Sequence, residues 1–202
     1  MAVISNTTTI IDAGAISVAS GAMTLIKTLT ASSSGTLSFV DGASSVVLDG
    51  TYKKYIFKFI NIHPQTDDTG LTVGFRDGST AYDATKTTSF FRATHGEDGT
   101  SGAVAYVTGA DIEQGTGFQQ ITQRLGSDND QVGSGHLRIY DPSNTTFVKH
   151  FISRFSIYEA GDFAEDDFFS GFFDTTTALT RFRFKMTSGA IGSGTIKLYG
   201  IS

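Results

Sequence analysis

Thr146–Tyr158, TFVKHFISRFSIY, is the stretch whose reading decides the fold. Phe147, Phe151 and Phe155 recur at every fourth position, with Val148, Ile152 and Ile157 between them. That spacing also serves a helix. The β-branched and aromatic content, and the turn sequence DPSN at Asp141–Asn144, favour a long strand instead. Alternation then puts Phe147, Phe151, Phe155 and Ile157 on one face, and Val148, His150, Ile152, Arg154 and Tyr158 on the other. The first face is predicted to be a core wall. The second is too polar for a core and too aromatic for open water, so it reads as a wet interface or the less buried side of a sandwich. His150 is expected to be a partly buried partner of a neighbouring hydroxyl or carboxylate.

The segments on either side repeat the pattern. Tyr55–Ile62, YIFKFINI, is apolar on both faces, with Tyr55, Phe57 and Phe59 on one and Ile56, Ile60 and Ile62 on the other. It ends at Pro64. Leu71, Val73 and Phe75 alternate before the turn Asp77-Gly78, and Phe182, Phe184 and Met186 alternate with Arg181, Arg183 and Lys185. Ile196 and Leu198 do the same near the C-terminus, against Lys197 and Tyr199. Short strands without a helical period predict an all-β chain: an antiparallel β-sandwich, with a jelly roll as the expected topology, over residues 23–202. Residues 1–22 hold apolar pairs (Val3-Ile4, Ile10-Ile11) but no aromatic. They read as an extended N-terminal arm on a neighbouring subunit, or as a loose terminus or edge strand.

Composition narrows the function classes. The 202 residues carry 17 Phe, 7 Tyr and 23 Gly with only 2 Pro and no Cys or Trp. Strands joined by small-residue turns fit that profile, and neither disulfides nor thiolate metal sites enter it. A net charge of −5 with no basic stripe in the sequence argues against a nucleic-acid partner. No run approaches the about 20 apolar residues of a membrane helix, and the N-terminus lacks a signal-peptide pattern. A soluble protein is expected.

Catalytic patterns are weak. His63, His95, His136 and His150 are scattered without metal-ligand spacing. Asp128-Asn129-Asp130 has the oxygen density of a calcium loop but lacks the downstream Glu, and reads as a turn. Asp162, Glu165, Asp166 and Asp167 form the densest acidic stretch, expected to be a solvated loop; Asp166 and Asp167 are candidates for paired-carboxylate glycosidase chemistry only if facing strands hold them apart. No catalytic residue, cofactor or metal is assigned. In each pair Phe90-Phe91, Phe168-Phe169 and Phe172-Phe173 one ring must leave the core. Phe91, Phe169, Phe173 and Tyr158, with Val3, Ile4, Ile10 and Ile11 of the arm, are therefore the candidate interface residues. Outward rings also stack on sugars, which makes carbohydrate binding the competing expectation.

Tyr52–His95 (YKKYIFKFINIHPQTDDTGLTVGFRDGSTAYDATKTTSFFRATH), Asp141–Ser153 (DPSNTTFVKHFIS) and Ser193–Ser202 (SGTIKLYGIS) together resemble virion structural proteins of tailed bacteriophages, marine ones especially. Ile4–Ile16 is similar to the openings of phage tail-fibre proteins. The resemblance implies a non-enzymatic β-sandwich on the particle exterior, as head decoration or in the tail. It would be assembled in the host cytoplasm, trimeric and docked on major capsid or tail proteins, with a host-surface glycan as a further expected contact.

Overall fold

The computed structural model describes residues 23–78 and 80–201, together with the backbone of residues 3–5, 8–12 and 15–16. Strands β1 (Val3–Ser5), β2 (Thr8–Asp12) and β3 (Ala15–Ile16) pair antiparallel with one another. The side chains of Val3, Ile4, Ile10 and Ile11 lie outside the described residues. From Met23 onward come β4 (Met23–Ser34), β5 (Leu37–Val40), β6 (Lys54–Pro64), β7 (Leu71–Arg76), β8 (Lys86–Gly96) and β9 (Gly102–Tyr106). They are followed by β10 (Gln119–Gln120), β11 (Gly133–Tyr140), β12 (His150–Glu159), β13 (Phe163–Phe173), β14 (Arg181–Met186) and β15 (Ile191–Ile201). These make an eight-stranded sheet in the order β4-β15-β6-β11-β12-β13-β8-β9 and a four-stranded sheet in the order β10-β7-β14-β5. Every pairing is antiparallel. The chain is thus an all-β sandwich. Its two sheets are unequal, eight strands against four.

Alternation explains the core. Tyr55, Phe57 and Phe59 of β6, Phe151 and Phe155 of β12, and Phe169 and Phe173 of β13 point inward from the large sheet. Phe39, Phe75, Phe182 and Phe184 meet them from the small one. The rings pack mainly edge-on or tilted, with centroids 5.1 Å apart for Phe57–Phe182 and 4.7 Å for Phe75–Phe173. Each fully buried ring stabilises the fold by about 1.5–3 kcal/mol.

Two expectations are corrected. Phe147 does not belong to the core wall: the strand begins at His150, and Phe147 is 70% exposed. Asn144 Oδ1 accepts hydrogen bonds from the Thr146 and Phe147 amides, 2.7 Å each, and this turn swings the ring outward before the strand starts. Lys149 takes the buried place instead. Ile62 does not share a face with Ile56 and Ile60. The partner register of β6 shifts between Phe59 and Ile62, opposite Gly135 and Gly133, with Asn61 at φ 50°. This β-bulge inverts the alternation, so Ile62 joins the core while Ile60 stays exposed. β15 is irregular at the same level: Gly194 has φ 117°, and a Cβ there would sit 2.6 Å from the Asn61 carbonyl oxygen.

Candidate functional site

The outer face of the eight-stranded sheet gathers the exposed side chains of chemical interest. Antiparallel partners point the same way, so the register dictates who meets whom. One row runs across the sheet as Tyr106 (β9), Phe91 (β8), Phe168 (β13), Arg154 (β12), His136 (β11), Lys58 (β6) and Lys197 (β15). At one end Phe91 and Phe168 stack with centroids 4.8 Å apart and planes 6° from parallel. The Arg154 guanidinium lies 4.7 Å from the Phe168 centroid. Asp166 holds that guanidinium through Nε (3.0 Å to Oδ1) and Nη2 (2.6 Å to Oδ2).

Beside the stack the floor falls away because its residues are small. Ala93, Ser134, Gly135, Ser156 and Ala164 leave an open depression of about 450 Å³ rimmed by His95, His136, Arg154 and Asp166. It runs into a second, of about 530 Å³, whose rim holds Glu97, Asp130, Tyr158 and Asp162. Tyr158 Oη donates to Glu97 Oε2 at 2.9 Å, and this bond, followed by burial, pushes the phenol up to about 12. The corner of the face beyond the trough is therefore acidic.

The opposite half is basic. β4, β15, β6 and β11 contain no Asp or Glu. In register, Lys58 lies between His136 and Lys197, and Lys54 lies between Tyr140 and Ile201. Arg138 lies between Ile152 and Ile56. Among the described residues none of Lys54, Lys58, Arg138 and Lys197 has an ion-pair partner. The nearest relief is the Tyr199 ring, 5.4 Å from Lys58 Nζ. Burial, then the charges of Arg138, Arg154 and Lys58, push the His136 imidazole below its ordinary range. The outer face of the small sheet is also basic, but there aromatic rings cover the cations: Arg183 sits 4.1 Å from the Tyr82 centroid and Lys185 4.6 Å from that of Phe118.

The expected acidic loop is corrected most sharply. Asp166 and Asp167 lie on β13, where neighbours point to opposite sides of the sheet. Asp166 is outside on Arg154, whereas Glu165 and Asp167 are inside at 2% and 1% exposure. Asp166 and Asp167 consequently cannot flank one bond. The inner pair joins Glu159, Arg92 and Arg124 in a clamp on the segment Ile121–Leu125. The Gln123 amide donates to Asp167 Oδ2 at 2.9 Å, Arg92 Nη1 reaches Glu165 Oε2 at 3.0 Å, and Arg124 bonds Glu159. Glu165 Oε1 and Asp167 Oδ1 are buried without a partner. A single proton between the two carboxyls satisfies both oxygens. Burial, then the Glu165 charge, raises the Asp167 carboxyl, and burial raises Glu165 as well, so the pair retains a proton above the ordinary carboxylate range.

The interface candidates divide. Phe91 and Tyr158 do reach the outer face. Phe169 and Phe173 are core residues, and their neighbours Phe168 and Phe172 face out, because the inward positions of β13 run through Glu165 and Asp167. Sequence reasoning missed Phe168, Lys58, Lys197 and Arg138. For Phe168 the signal is the even-numbered register of β13, set by pairing with β12; for Lys58, Arg138 and Lys197 it is the lack of Asp and Glu in β4, β15, β6 and β11. His150 is exposed rather than partly buried, 6.1 Å from the Phe172 ring. His63 Nδ1 bonds the Gln131 carbonyl at 2.8 Å, while His95 and His136 meet at the trough. Asp128 and Gln131 close a turn on each other. Among the described residues no group of His, Cys, Asp and Glu is placed to hold a metal ion.

No protein-family model, no curated protein and no solved structure matches the chain.

Proposed function

We propose that this chain is a non-enzymatic structural protein of a tailed-phage virion exterior, acting by assembly through the outer face of its eight-stranded sheet. One observation supports it above the rest. That face exposes Leu25, Ile60, Phe91, Ile152 and Phe172 among unpaired cations, an apolar and charged surface that a monomer gains nothing by showing to water. The inward carboxylates Glu159, Glu165 and Asp167, by contrast, hold the segment Ile121–Leu125. The sequence resemblance to virion proteins supplies the setting. Sedimentation velocity on the purified chain is expected to show a stable oligomer. A strictly monomeric species at high concentration overturns the reading.

Carbohydrate binding is the second reading, favoured by the Phe91–Phe168 stack lying beside a polar, small-floored trough. A glycan array without signal removes it.

A further inference from the structure

We infer that the occupant of this outer face is a second copy of the chain, held by opposite charges at diagonal corners of the face. The inference rests on the assembly reading and specifies its partner.

The basic corner is the starting point. Like charges directly opposite on adjacent strands repel, and here Lys58 faces Lys197, while the cations around His136 disfavour its charged form. Such a row is an energetic cost in the free molecule unless something anionic lies on it. The four strands that build this half supply no carboxylate. The only outward carboxylate of the neighbouring β12 and β13 is Asp166, already engaged with Arg154. The counter-charge must therefore come from another surface.

The same face carries a surface of that kind at its far corner. Glu97, Asp130 and Asp162 ring the deeper end of the trough, across the sheet from Lys58, Lys197 and Arg138. Of these, only Glu97 and Asp162 are engaged, and only with the neutral Tyr158 hydroxyl, so their charge is not cancelled. Two copies laid face to face about a two-fold axis in the interface plane, perpendicular to the line joining the two corners, bring each basic corner onto the other's acidic corner, twice over. The apolar residues Ile152 and Phe168, on β12 and β13 between the two corners, are then covered, with the ionic contacts at the rim. A net negative chain would ordinarily repel its own copies. Opposed corners reverse that at this one orientation and so select it.

The test is a charge swap followed by sedimentation velocity at low and high salt. Wild type is expected to associate more weakly as salt rises. Lys58→Glu with Lys197→Glu, and separately Glu97→Lys with Asp130→Lys, are each expected to raise the dissociation constant by about tenfold or more. All four side chains are surface groups, so the fold survives, and an unchanged thermal melt checks it. An equimolar mixture of the two variants is expected to recover wild-type affinity, which damage to either surface alone would not allow. Association that ignores salt and both reversals overturns the inference while leaving the assembly reading intact. Two variants that each weaken association but fail to rescue one another overturn it as well. A wild type that stays monomeric removes both, and retention of that monomer on heparin would point to a polyanionic ligand instead.

Discussion

Asp167 is a buried carboxyl in a place where the sequence shows only an acidic run. Its carboxyl is 1% exposed, receives the Gln123 amide and adjoins Glu165. An acid whose pKa rises on folding is protonated in both states at low pH. The native state then loses relative stability as pH climbs from the ordinary carboxylate range through the raised value, here about 8. Asparagine reproduces the protonated form, since its amide can donate to Glu165 and its oxygen can accept from Gln123. Asp167→Asn is therefore expected to match wild type below about pH 4 and to exceed it by a margin that grows with pH, reaching about 2 kcal/mol or more near pH 9. Thermal melts across that range measure it, and parallel curves for the two proteins would refute the shared proton. The outward rings Phe168 and Phe172 carry the same lesson. Composition shows that one ring of each pair must leave the core, but only the pairing of β13 with β12 says which one.

At the scale of elements, the turn before β12 depends on a buried cation. Lys149 Nζ donates to the carbonyls of Asn144 (3.2 Å), Thr175 (3.0 Å) and Thr177 (2.6 Å), tying the turn to the segment that leads into β14. Burial pushes this ammonium below the usual lysine range, and the three carbonyls supply the stabilisation that a carboxylate otherwise would. Lys149→Met keeps the stem and strands the carbonyls. The expected cost is about 2–4 kcal/mol in urea unfolding, with faster proteolysis around residues 174–178. A change under about 0.5 kcal/mol would mean that water replaces the ammonium at no cost. Period-two reading recovered Phe151, Phe155 and Ile157 as core and failed at Phe147 and Ile62, in both cases where the local backbone leaves regular extension. An Asn-capped turn displaces the first, and the bulge at Asn61 re-aims the second. Neither device has a sequence signature separable from ordinary Asn usage.

Across the whole molecule, the core of the described residues is drawn from Ala31 to Leu198. Deleting residues 1–22, whose sequence holds no aromatic, is expected to leave the melting temperature unchanged within about 2 °C. Incorporation of the shortened chain into particles is expected to be lost. Normal incorporation would dispose of the arm. The sequence by itself determined the fold class, because alternation of large apolar residues with polar ones is a local property that any strand displays without its partner. It determined the identity of most core residues for the same reason. Only the tertiary structure decided the distribution of charge. A formal net charge of −5 conceals a face whose strands β4, β15, β6 and β11 bear Lys and Arg alone, with carboxylates held in loops, buried on β13 or set at the far corner. Side chains from strands distant in sequence become neighbours through register, and register is fixed by the packing of both sheets together, which no single segment encodes.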